Sequence, residues 1–299
     1  MKRIVLFCLA LGFATPAIAA DMREAAQHFQ VRDYAAALAI AEPLANAGDV
    51  RAMAMLGQIY RKGLGADMNL DRAAQWLGKA AAAGDMPATL ALGLIYLDSS
   101  LGTIDYIKGE GLVRKAAEAG NAEAQVTMGR LDSGAFNNPA NWSEAARWYR
   151  RAADQGNADG EYLLGVLMLD GRGVGKNAVA ATDLIGKAAH QGQIDAALDY
   201  GVLVFRGEGV QADENIGAQW LLVAARHGNV VAMNRVARLY AFGKGVDQDP
   251  VEAQKWNLLA AQGGRADAEL DTILAQLATD RKAEAKSRAD AFTPEGEKQ

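Results

Sequence analysis

Seven glycines stand at a fixed step of 36 residues: Gly48, Gly84, Gly120, Gly156, Gly192, Gly228 and Gly264, with no insertion between any two. A period held this strictly marks a chain built by stacking one supersecondary unit on the next. A single such unit cannot bury its apolar face alone, so the period constrains the fold more than any other feature. The text around the glycines repeats as well. "GRGVGKNAVAATDLIGKAAHQG", "GEGVQADENIGAQWLLVAARHG" and "GKGVDQDPVEAQKWNLLAAQGG" share one order: turn glycines, a short polar residue, an apolar run and a closing glycine.

Each period resolves into two helices. Asn69, Asp105, Asn141, Asn177, Asp213 and Asp249 recur as short acceptors suited to capping the second helix, with Asp33 in the same register upstream. Pro250 follows Asp249 at the first helical position, where a missing N–H costs nothing. The second helix runs to an alanine pair, such as Ala80-Ala81 or Ala260-Ala261, and the periodic glycine ends it. Four residues before each pair stands a large apolar residue: Trp76, Leu112, Trp148, Leu184, Trp220 and Trp256 are expected to be core knobs. The first helix carries Ala52, Leu56 and Ile59 and their copies at helical spacing. Within it, Gly57, Gly93, Gly129, Gly165 and Gly201, then Ala237, read as points where helices touch, because mid-helix glycine costs about 1 kcal/mol against alanine. Between the helices lies G-x-G, as Gly63/Gly65, Gly171/Gly173, Gly207/Gly209 and Gly243/Gly245. The second and third units depart from this pattern around Ser99, Leu101 and Asn137.

"ALGLIY", "GRGV", "AARWYRRAADQGNA" and "EAQKWNLLAAQGG" resemble Sel1-like repeats, relatives of the tetratricopeptide family, over residues 22 to 270 or so. The resemblance implies an all-α, right-handed α-solenoid of antiparallel helix pairs that binds other proteins, with no single activity attached. The expected organisation is a signal peptide over 1–19, an N-terminal capping helical pair over 20–48, six repeats over 49–264, one long capping helix over 265–290 and a disordered tail over 291–299.

The start, "MKRIVLFCLALGFATPAIAA", reads as a secretory signal, with Lys2-Arg3, a short apolar core and an A-x-A site at Ala17-Ile18-Ala19. No later apolar stretch is long enough to span a bilayer. Cleavage would remove Cys8, the single cysteine, leaving neither disulfide nor thiol chemistry. It would also carry the net charge from −5 to −7, against nucleic-acid binding. The setting implied is the periplasm.

Motifs for chemistry fail. "GRGVGKN" has Asp170 and Asn177 where a phosphate loop needs glycine and Ser or Thr. His28, His190 and His227 lack metal-ligand spacing, and the last two read as helix-end residues. No nucleophile motif occurs, so no catalytic, cofactor or metal residue is expected, and the chain reads as a non-enzyme.

The candidate partner-binding face is the side of the first helices off the core stripe: Arg130, Tyr162, Asp199, Arg235 and Arg238, which vary between copies. Trp142, outside the register of the other tryptophans, is added as a partly exposed anchor. The implied role is a periplasmic regulator or adaptor in envelope signalling or exopolysaccharide control, binding protein partners of the cell envelope. A scaffold in a polysaccharide assembly or export complex is the alternative. A secreted enzyme is a third: cysteine-rich members of the family are linked to β-lactam binding, but this chain lacks those cysteines and S-x-x-K.

Overall fold

The computed structural model describes residues 16–98, 105–135 and 139–296, with backbone alone for 16–20. The irregular loops at Ser99, Leu101 and Asn137, and most of the expected signal peptide, lie outside the described residues. Among the described residues there are helices and turns and no strand.

The chain divides into two units, Met1–Ala124 and Gln125–Gln299. The first holds α1 (Pro16–Gln30), α2 (Tyr34–Asn46), α3 (Val50–Lys62), α4 (Leu70–Ala82), α5 (Met86–Leu97) and α6 (Tyr106–Glu118), each packed on the next. Its core runs from Met22 and Ala25 through Leu56 and Leu77 to Leu92 and Ile95. Helix α7 (Ala122–Asp132) spans the boundary. The second unit continues with α8 (Trp142–Ala153), α9 (Ala158–Asp170), α10 (Ala178–His190), α11 (Ile194–Arg206), α12 (Glu214–Arg226), α13 (Val230–Phe242) and α14 (Pro250–Gln262). From α8 to α14 each helix again packs on its neighbours in sequence, the architecture of a solenoid of helix pairs.

Local chemistry sets these boundaries. The expected second-helix caps accept backbone N–H groups, as in Asn69 Oδ1 from Arg72 at 2.9 Å and Asp213 Oδ1 from Ile216 at 2.9 Å. A second capping series, on the first helices, also exists: Asp49, Asp85, Asn121, Asn157, Gln193 and Asn229. The G-x-G turn does two jobs. Gly171 ends α9 at φ 75°, and Gly173, at φ 66°, lies on the Trp142 carbonyl so closely that a Cβ would overlap it. Gly65, Gly209 and Gly245 meet the first turn of the preceding second helix in the same way.

The knob is not where the sequence suggested. Trp148 and Trp256 are buried, but Trp76, Leu112, Leu184 and Trp220 are only half-buried. The residue after each is the one sealed from solvent: Leu77, Val113, Tyr149, Ile185, Leu221 and Asn257 are at most 3% exposed. The first five of these side chains face the first-helix glycines; a Cβ at Gly165 would lie 2.7 Å from Ile185 and one at Gly93 2.9 Å from Val113. One residue further along turns a side chain about 100° around a helix. The tryptophans therefore lie beside the contact line. Lys79 covers the ring of Trp76 at 4.0 Å, while His190 and Tyr200 meet Trp220 edge-on at 4.8 and 5.5 Å.

The closing segment also differs from expectation. Residues 265–290 form two helices, α15 (Ala268–Leu274) and α16 (Thr279–Asp290). The chain breaks at Ala278, ψ 150°, so that Leu270 and Leu274 on one helix and Ala285 and Ala289 on the other can all be buried. Residues 291–296, at the start of the stretch expected to be a disordered tail, pack back on the helices. Phe292 packs edge-on against Trp256 at 5.4 Å, and the Glu295 N–H donates to the Arg226 carbonyl at 2.8 Å.

Candidate binding face

The first helices of the second unit carry most of the polar residues singled out from the sequence. Arg130 on α7 meets Asp159 on α9 at 3.2 Å, and both are exposed, so the pair contributes about 0–1 kcal/mol. The Tyr162 hydroxyl on α9 donates to Asp199 Oδ2 on α11 at 3.0 Å. Burial, then the Asp199 charge, pushes the Tyr162 hydroxyl above its ordinary value. Burial likewise raises the Asp199 carboxyl, against the hydrogen bond from Tyr162.

Arg238 and Arg235 on α13 have opposite fates. Arg238, a position of the candidate face, already has carboxylates within the chain: its Nε and Nη2 donate to Asp267 at 2.8 and 2.9 Å, and Nη2 reaches Glu269 at 2.9 Å. Asp267 also caps α15 and accepts from Asn234 at 2.9 Å. Arg235 has no such partner. Its Nε is buried with no acceptor in reach. Burial, then the nearby charges of Arg206 and Arg265, pushes its guanidinium below its usual value, with Asp199 pulling the other way.

Beside Arg235 a cavity of about 190 Å³ opens between α11, α12 and α13, floored by Val202, Phe205, Leu221 and Leu239. Arg206 stands at its edge with Arg235 and Arg238. The structure thus brings Tyr162, Asp199, Arg235 and Arg238 along consecutive first helices. Arg130 lies further along the same series, and Trp142 stands apart at the start of α8. The Trp142 ring is half-covered, with Arg172 stacked 5.2 Å from its centre. Arg206 and Phe205 were missed from the sequence. Asp199, Val202 and Arg206 fall at i, i+3 and i+7, which places them on one helix face and was the available signal.

The Asp267 carboxyl makes a direct test of the Arg238 pairing. Burial pushes it up, but the hydrogen bonds from Arg238, Asn234 and the Leu270 N–H outweigh this and hold it down at about 2. A carboxyl depressed in the folded state stabilises above its unfolded value, near pH 4, and the gain is lost as pH falls towards 2. The stability advantage of the wild type over Asp267→Asn should therefore be full at pH 5, of the order of 1–2 kcal/mol, fall steeply between pH 4 and pH 2, and vanish only below pH 2. Urea midpoints across this range check it; an advantage that does not vary with pH would mean the pair adds nothing through charge.

His190 and His227 hydrogen-bond the carbonyls of Gly186 and Val223, at 2.7 and 2.9 Å, and so close their own helix ends. Among the described residues no group of His, Cys, Asp or Glu could hold a metal ion, and no helix is long and apolar enough to cross a membrane.

The model of the Sel1 repeat matches residues 50–85, 87–121, 136–157, 158–193, 194–229 and 230–264. The chain is similar to the crystal structure of a Sel1 repeat protein from Oxalobacter formigenes, at 30% identity and TM-score 0.74, over 81% of this chain and 99% of that one. It is also similar to c5321, a protective antigen of uropathogenic Escherichia coli displaying an SLR fold, at 26% identity and TM-score 0.54, over 92% of this chain and 68% of that one. No curated protein matches the chain.

Proposed function

The chain belongs to the Sel1-repeat family, and from that premise we propose that it is a periplasmic docking module, acting as a regulator or adaptor in envelope signalling or exopolysaccharide control. Proteins of this family are generally protein–protein interaction modules. The observation that carries the reading is the contrast between two sets of positions. The contact line is filled the same way in almost every copy, a large residue on a glycine. The adjoining first-helix surface changes chemistry from Tyr162 to Asp199 to Arg235 and includes a buried donor without an acceptor. A surface that varies over a fixed frame suits recognition of another chain.

Crosslinked capture from the periplasm, read by mass spectrometry, tests the role. A dominant envelope sensor supports the regulator; polymer-export components would replace it with the scaffold reading; turnover of a substrate with no partner captured would sink both. The location rests on the leader sequence. Cleavage after Ala19 would leave Met22 and Ala25, both buried, in place on α1, so processing is compatible with the fold. N-terminal sequencing of the folded protein from cells should start at Ala20 or Asp21, and an intact Met1 would refute export.

A further inference from the structure

We propose that the cavity between α11, α12 and α13 receives the C-terminal residue of a partner polypeptide, its carboxylate on Arg235 and Arg206 and its apolar side chain on the floor. This rests on the reading of the chain as a protein-docking module and names the chemistry of one contact. Three observations lead to it. The Arg235 Nε is buried and has no acceptor, an arrangement that is costly unless something completes it. Arg206 and Arg235 line the same cavity, Arg206 and Arg265 each lie close enough for their charges to act on Arg235, and none of the three forms an ion pair among the described residues. Asp199, whose carboxylate acts on Arg235, already accepts from Tyr162. An anion is the missing component, and a guanidinium binds a carboxylate through two parallel N–H donors.

The floor decides which carboxylate. Val202, Phe205, Leu221 and Leu239 are apolar, and the space of about 190 Å³ exceeds the roughly 150 Å³ of an apolar cavity that admits benzene. A terminal residue such as leucine carries carboxylate and apolar side chain on one Cα and can satisfy both surfaces together. An internal glutamate brings its carboxylate on a short stem and leaves the floor empty. Arg238, fixed by Asp267 and Glu269, serves as a wall.

The experiment titrates N-acetyl-leucine into the full chain while following the Arg235 Nε–H signal by nitrogen-15 NMR, with that signal assigned by its loss in Arg235→Met. N-acetyl-leucinamide and the α-amide of N-acetyl-glutamate serve as comparisons. Saturable shifts with the free acid, at least tenfold weaker binding of both amides, and several-fold weaker binding to Arg206→Gln are expected. Arg206 is exposed, so that variant tests the site even if Arg235→Met were to fold poorly. Equal binding of acid and leucinamide would overturn the carboxylate contact; equal binding of the glutamate amide would overturn the C-terminal assignment. Absence of any shift up to millimolar acid would remove the site. If periplasmic capture still returned a partner in that case, the inference alone would fall; if capture returned none while N-acetyl-leucine bound, the docking reading would fall and the site would stand.

Discussion

Gly217→Ala is expected to destabilise the protein by about 2–3 kcal/mol, although alanine is the better helix former by about 1 kcal/mol. Gly217 lies inside α12, and a Cβ there would stand 2.7 Å from Phe205 Cβ and 2.8 Å from the Gly201 carbonyl oxygen and Phe205 Cα. Two of these three atoms belong to the backbone of α11 and cannot swing aside. The helices would have to separate, opening the contact that Gly201 makes from the other side with Leu221. The control is Gly111 in α6, exposed and with nothing within 4 Å of its missing Cβ. Gly111→Ala should raise stability by about 0.5–1 kcal/mol, since propensity acts there without opposition. Urea midpoints measured by circular dichroism decide the matter. The same sign of change in both variants would show that close helix contact is not what selects glycine at 217.

Ile185→Ala is expected to cost about 4 kcal/mol, more than Trp220→Ala at about 2–3 kcal/mol, despite the larger ring. Ile185 is fully buried and sits on Gly165, which has no side chain to move into the space left behind. Its removal leaves a sealed hole, so the cavity penalty adds to the lost burial. Trp220 is half-buried among His190 and Tyr200, and its removal leaves an open dent that water fills. Trp142→Ala should cost least, about 1 kcal/mol, mostly the Arg172 stacking. A loss at Trp220 equal to or above that at Ile185 would return the knob to the tryptophan position.

The period, the two helices and their caps were legible because few residue types meet those backbone demands. A turn at φ 66°, as at Gly173, favours glycine, and a donor left open at a helix start favours a short acceptor such as Asn69. The knob was misplaced by one residue because size drew attention to tryptophan. Which of two adjacent side chains faces the neighbouring helix depends on how the helices cross, which a single chain of letters does not display. The candidate face could be drawn as a set of positions, but not which of its groups already have partners within the chain. Arg238 takes a partner 29 residues ahead, in a segment read as a simple closing helix. Asp199 and Arg235 were seen, but Arg206, directly before the turn glycine Gly207, was not, although it shares a helix face with Asp199 and Val202.

A linear array of helix pairs ordinarily has two loose ends, each pair held by one neighbour alone, so hydrogen exchange and proteolysis start there and advance one pair at a time. The last described residues change that at one end. Phe292 lies on Trp256 in α14, while Glu295 reaches the carbonyl of Arg226 at the end of α12. This segment thus bridges α14 and α12, the second helices of two successive pairs. Fraying at this end therefore has to break contacts on α14 and on α12 as well as those of α15 and α16, so the tail couples opening of the last helices to the pair before them.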